Sequence, residues 1–132
     1  MIDLIKTCIQ EVIKELGEGW SERIYHNALL SELRRKGLSY ETEATTPVRY
    51  KGENVGFVRL DILVENRVIL ELKKGTGVTK AKKTDINQLI RYCTVLDKKG
   101  LLVYFKPPEC IFVTYPTTVT SGPPSLTVQR LE

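Results

Sequence analysis

The chain is expected to fold as a mixed β-sheet flanked by helices, in the α/β or α+β class. Three observations carry that expectation. Apolar residues recur at helical spacing near the N-terminus and again past the middle of the chain. Between and after those stretches lie short runs rich in Val, Ile and Leu, bounded by turn residues. The resulting order, α-α-β-β-β-α-β-β, suits one layer of strands carrying helices. At 132 residues there is room for one domain with a real core, but not for two.

Residues 2–16 place Ile2, Ile5, Ile9, Val12, Ile13 and Leu16 at helical spacing, and Gly17-Glu18-Gly19 ends that helix. Ser21 is a good N-cap for a second helix, with Ile24, Ala28, Leu29 and Leu33 on one stripe and Gly37 beyond its end. Trp20 is expected to anchor the start of that helix in the core. Residues 38–50 read as a strand, with Pro47 placing part of it at an edge or bend. A turn at 51–54 leads into a central hairpin, 55–64 and 68–73. Residues 75–84 form a lysine-bearing loop, 85–96 a helix, and 101–105 and 111–115 short strands either side of Pro107-Pro108. The stretch from Pro116 holds three of the six prolines and almost no charge. The expected division is therefore a domain over 1–116 and an irregular tail over 117–132.

A net charge of +4 and a pI near 9.0 suit a polyanionic partner without requiring one. Cys8, Cys93 and Cys110 form no C-x-x-C pair, which argues against a zinc site or a disulfide framework. Buried thiols in a reducing, intracellular (cytoplasmic) setting are expected. No signal peptide stands out, and no apolar run approaches the ~18 residues of a membrane span.

The chemistry concentrates in DILVENRVILELK, residues 61–73. Two carboxylates and an ammonium do not belong in an apolar hairpin for stability alone, because an unpartnered buried charge is costly. Mg²⁺ is hard, prefers oxygen and is held by one or two carboxylates plus waters and a substrate phosphate. Asp61 and Glu71 supply such oxygens, and the carbonyl of Leu72 is a third candidate. Lys73 would orient or deprotonate the attacking water, or neutralise charge developing at phosphorus. The reading depends on register. With a three-residue turn of Glu65, Asn66 and Arg67, Val64 pairs with Val68, Asp61 faces Glu71 and Arg59 faces Lys73. A one-residue slip would put the two carboxylates on opposite faces. The bland alternative is a set of ion pairs of Asp61 and Glu71 with Arg59 and Lys73 on an exposed sheet face.

Other motifs extend the pattern. Gly19-Trp20-Ser21-Glu22-Arg23-Ile24-Tyr25 reads G-x-x-E-x-x-Y, and Asn27-Ala28-Leu29 and Glu32-Leu33-Arg34 follow. Further on come Tyr50-Lys51-Gly52, the strand ending in Asp61, Glu71-Leu72-Lys73, and Gln88 with Tyr92 four residues later. This resembles the GxxExxY protein family, a small branch similar to the PD-(D/E)XK nuclease superfamily, over most of the chain. The resemblance implies a restriction-endonuclease-like fold, core order αβββαβ with an extra N-terminal helix. It implies metal ligation by Glu22, Asp61 and Glu71, with Lys73 as the catalytic cation and Gln88 and Tyr92 touching the site or the nucleic-acid backbone. Leu60 stands where the superfamily's name has proline.

The functional expectation is a Mg²⁺- or Mn²⁺-dependent nuclease acting on nucleic acid, DNA above all. The alternative is a catalytically silent module on the same fold that binds nucleic acid or a protein. Lys74, Lys80, Lys82 and Lys83 are the candidate phosphate contacts, and no aromatic–basic interleaving suggests base readout. His26 reads as a packing or surface residue. A homodimer is expected for duplex cutting, with the strand over 110–115 as a candidate pairing edge.

Overall fold

The structure is a computed structural model and describes residues 1–75, 79–116 and 127–131, the last stretch by its backbone alone. Two helices open the chain, α1 (Ile2–Leu16) and α2 (Glu22–Arg35). Three strands follow, β1 (Tyr40–Tyr50), β2 (Glu53–Val64) and β3 (Val68–Lys74). Helix α3 (Lys83–Leu96) leads to β4 (Lys99–Lys106), β5 (Glu109–Tyr115) and β6 (Thr127–Leu131). The six strands lie in chain order in one sheet, antiparallel except for β3 and β4, which run parallel across the α3 crossover. A mixed sheet with helices is thus the α+β architecture expected. No helix among the described residues is long and apolar enough to cross a membrane.

Local chemistry explains the boundaries. The Ser21 side chain accepts from the Ile24 N–H at the start of α2, as expected of an N-cap. Trp20 does not enter the core. It is 45% exposed, and its indole N–H reaches the Leu16 carbonyl, 2.8 Å away, at the end of α1. That carbonyl is one of the four a helix end leaves unpaired, so the ring is held there as a cap.

The helices divide the core. One cluster joins Ile5, Ile9, Leu29 and Leu33 of α1 and α2 to Ile62, Val64, Leu70, Leu72, Val103 and Phe105 of the sheet. The other joins Leu89 and Cys93 of α3 to Ala44, Leu60, Leu63, Ile69, Leu102 and Tyr104. Leu60 and Ile62 are two apart on one strand yet serve opposite clusters, so the faces of β2 exchange sides between them. Asp61 stands at that exchange. On β1, the corresponding place is Glu43, at φ 48.

Gly100 begins the buried part of β4 beneath α3. A Cβ there would lie 2.4 Å from Cys93 Sγ and 2.7 Å from Leu89 Cδ1, both fully packed. Gly100→Ala is expected to cost about 1–3 kcal/mol of stability, the usual range for overpacking. Urea unfolding checks it, and an unchanged midpoint would show that α3 lifts freely.

The tail departs from expectation where it is described. Residues 127–131 are strand, each paired with β5. The reason is that β5 has unmet backbone groups along its outer side, and a segment of the same chain satisfies them. The strand over 110–115 is therefore covered by β4 and β6 and offers no edge to a second copy. Residues 117–126 and 132, also assigned to the tail, lie outside the described residues.

Candidate active site

The turn at Glu65, Asn66 and Arg67 has three residues, as the carboxylates required, and Val64 pairs with Val68. Asn66 takes φ 53 and so does Glu65. Glu is a poor residue for that conformation, but its carboxylate is held by the Ser39 N–H and hydroxyl.

The β2–β3 ladder is short, covering only Ile62–Leu70, Leu63–Ile69 and Val64–Val68. Continued, it would set Leu72 against Leu60. Instead β2 departs, Leu60 stays with Ala44 of β1, and Asp61 fills the gap with its side chain. Asp61 Oδ2 accepts from the Leu72 N–H at 2.9 Å. A strand residue's N–H and C=O leave the same edge, so the Leu72 carbonyl also faces this notch.

Glu71 lies on the wall of the notch. It alternates with Leu70 and Leu72 of the α1–α2 cluster and so points to the α3 side. It is 6% exposed, and its Oε1 has no hydrogen-bond partner. Burial, and then the charge of Asp61 and a hydrogen bond to it, push the Glu71 carboxyl up to about 9, with Lys73 pulling the other way. Lys73 is half-buried on the same face. The exposed ion-pair alternative does not hold, since Glu71 is buried. Nor does Arg59 face Lys73. Because β2 has left β3, Arg59 pairs with Glu43 of β1 at 2.6 Å.

Helix α2 brings the third side. Tyr25 stacks on Phe105 of β4, ring centres 5.0 Å apart, and its hydroxyl donates to the Gly17 carbonyl at 2.7 Å. Gly19 turns the chain between the helices at φ 95, a conformation that glycine adopts cheaply. The Gly and Tyr of G-x-x-E-x-x-Y thus set the pitch of α2, and its next residue, His26, lies buried near Asp61. Its Nε2 has no hydrogen-bond partner among the described residues. Burial, then Arg23, lowers its pKa, while the Asp61, Glu43 and Glu22 charges raise it. His26 is a site neighbour that sequence reasoning passed over, since a single His carries no spacing signal. Glu22 is exposed in the first turn of α2. No hydrogen bond or ion pair joins it to Asp61 or Glu71 among the described residues; its charge is felt at His26.

Helix α3 closes the far side. The Cys93 thiol is pushed up to about 12 by burial and then by the Glu71 charge, so α3 packs against the carboxylate wall. Gln88 Nε2 donates to the Tyr92 hydroxyl at 3.1 Å, both half-buried, and neither meets Asp61 or Glu71 through a hydrogen bond. Tyr104, which pairs with Lys73 across the parallel ladder, accepts from the Lys82 N–H at 3.0 Å and donates to Asp85. Its hydroxyl therefore ties the start of α3 beside Lys73. Lys74, Lys80, Lys82 and Lys83 are exposed there. Tyr104→Phe is expected to lose about 0.5–1.5 kcal/mol, because two part-buried hydrogen bonds go unmade. Thermal unfolding measures it, and no loss would show that Asp85 and Lys82 find water instead.

Among the described residues no three His, Cys, Asp or Glu side chains converge as a self-sufficient metal cage. Two carboxylates and a carbonyl facing one notch nonetheless fit Mg²⁺ or Mn²⁺, which keeps several waters. The buried, unpartnered Glu71 Oε1 is the feature a cation would satisfy. Among protein families, the PD-(D/E)XK nuclease superfamily matches residues 1–111. No curated protein and no solved structure matches.

Proposed function

The chain belongs to the PD-(D/E)XK nuclease superfamily, and from that premise we propose that it is a divalent-metal-dependent nuclease hydrolysing phosphodiester bonds in DNA. The observation that carries this reading is the Asp61–Glu71 pair. A buried carboxyl raised to about 9 with one oxygen unpartnered is a standing expense to the fold. A module that only bound nucleic acid would be better served by Gln or Leu at that position. The G-x-x-E-x-x-Y motif of residues 19–25 is in keeping with that reading.

Asp61, Glu71 and the Leu72 carbonyl would hold Mg²⁺ or Mn²⁺, with Glu22 in the first turn of α2 as the further carboxylate that the resemblance assigns to the metal. The bound ion supplies Lewis acidity and a more acidic water. Lys73 sets a positive charge beside the scissile phosphate and either orients the attacking water or neutralises the charge that forms. Lys74, Lys80, Lys82 and Lys83 grip backbone phosphates without reading sequence. Gln88 and Tyr92 present their hydrogen-bonded pair to the same strand. Cutting both strands of a duplex calls for two copies of a one-site chain, and β5 is not where they would meet.

The test is cleavage of labelled single-stranded, duplex and four-way-junction DNA with Mg²⁺ or Mn²⁺, beside EDTA and Asp61→Asn. Metal-dependent cutting that Asp61→Asn abolishes supports the reading. A folded protein that cuts none of them and takes up no Mn²⁺ by calorimetry would sink it.

A further inference from the structure

Strands β1 and β2 run well beyond the three-pair ladder with β3, as a two-stranded ribbon turning at Lys51-Gly52. On this ribbon Phe57 is 64% exposed, Tyr50 60% and Val55 58%, more than any other large apolar side chain among the described residues. Among the described residues the core clusters include none of the three, and Tyr50 meets the Lys51 ammonium, 5.4 Å from its ring centre. Pairing puts Pro47 opposite Phe57 and Thr45 opposite Arg59. Phe57 and Arg59 alternate onto one face of β2, with Pro47 opposite the ring and the Arg59 guanidinium held by Glu43.

Residues 43–59 carry three cations, Arg49, Lys51 and Arg59, against two carboxylates, Glu43 and Glu53, and Glu43 pairs with Arg59 at 2.6 Å. Arg49-Tyr50-Lys51 and Phe57-x-Arg59 are separated in sequence, and the hairpin brings them together into the aromatic–basic interleaving that the linear reading did not find. The ribbon is also continuous with the site. Phe57 is four residues up the strand from Asp61, about 13 Å at ~3.3 Å per residue.

We infer that the β1–β2 ribbon is a docking arm for single-stranded nucleic acid, with a base stacked on Phe57 and the phosphates beside it met by Arg49, and by Arg59 once a phosphate takes the place of Glu43 as its partner. The inference rests on the nuclease reading for its geometry, because the strand held on the ribbon leads to the Asp61–Glu71 notch. Stacking suits this surface better than a duplex groove would. An exposed ring offers its face to any unpaired base, and each stacked base contributes a sizeable, sequence-tolerant share of affinity.

Fluorescence anisotropy of labelled single-stranded and duplex oligonucleotides, titrated with the full chain in EDTA, tests the arm apart from cleavage. Phe57→Ala should weaken single-strand binding about tenfold without moving the melting temperature, and Phe57→Trp should restore it. Arg49→Ala should reduce the salt dependence by about one charge, leaving the ring's contribution intact. Unchanged single-strand affinity in Phe57→Ala, an equal loss on duplex, or no binding by the unaltered chain would each overturn the arm. The two readings fail separately. Cleavage with Phe57 dispensable removes the arm and keeps the nuclease, whereas Phe57-dependent binding without cleavage does the reverse.

Discussion

Replacing Glu71 by Gln is expected to abolish cleavage and, in the metal-free protein, to raise stability. Glu71 titrates near 9 in the fold against an ordinary value of 4.5, so the folded chain holds a proton that the unfolded chain releases. The stability this brings is complete below about pH 4.5 and is lost as pH rises towards 9. Between pH 5 and 8, in EDTA, the unaltered chain should lose on the order of 3–4 kcal/mol from this group, at about 1.4 kcal/mol per pH unit. Gln is neutral in both states, so the variant should lack that slope and be the more stable protein at pH 8. Added Mg²⁺ or Mn²⁺ should reverse the order, stabilising the chain that keeps Glu71 by mass action. Urea unfolding at several pH values, with and without metal, reads all of this. A flat metal-free profile for the unaltered chain would mean that Glu71 is solvated.

Lys73→Met separates the lysine's role from that of the carboxylates. The substitution keeps an unbranched side chain in a half-buried place and removes only the charge. Losing one group aimed at developing charge lowers kcat about 10²–10³-fold, with KM little changed. Metal uptake should survive, or tighten, because a cation beside the carboxylates opposes a second cation. Calorimetry with Mn²⁺ alongside single-turnover cleavage distinguishes the two variants, since Glu71→Gln loses both properties and Lys73→Met only one. Cleavage at the unaltered rate would reduce Lys73 to a counter-charge for Glu71.

What was legible in the chain followed from period and turn chemistry. The helical stripes, the Ser21 cap and the three-residue turn at Asn66 were all readable, and the last placed Asp61 and Glu71 at one site. Arg59 was misplaced because its partnering depends on where β2 leaves β3, and no local pattern marks that point. The exchange of faces between Leu60 and Ile62 is equally silent, since both residues are simply apolar. His26, read as packing or surface, is buried, and its place beside Asp61 depends on what α2 packs against. The strand over 127–131 was hidden because its pairing with β5 is long-range, and proline-rich sequence lies before it.

The in-order sheet has a consequence for how the polypeptide matures. Because spatial order follows chain order, each strand emerging from a ribosome finds its neighbour already made, and loop closure stays inexpensive. The longest wait is between β3 and its parallel partner β4, which arrives after the α3 crossover. Glu71 lies on β3, so its burial against α3 is expected to follow that step. The Asp61–Glu71 notch is thus completed when the nascent domain is nearly whole, so truncated translation products would lack a finished notch.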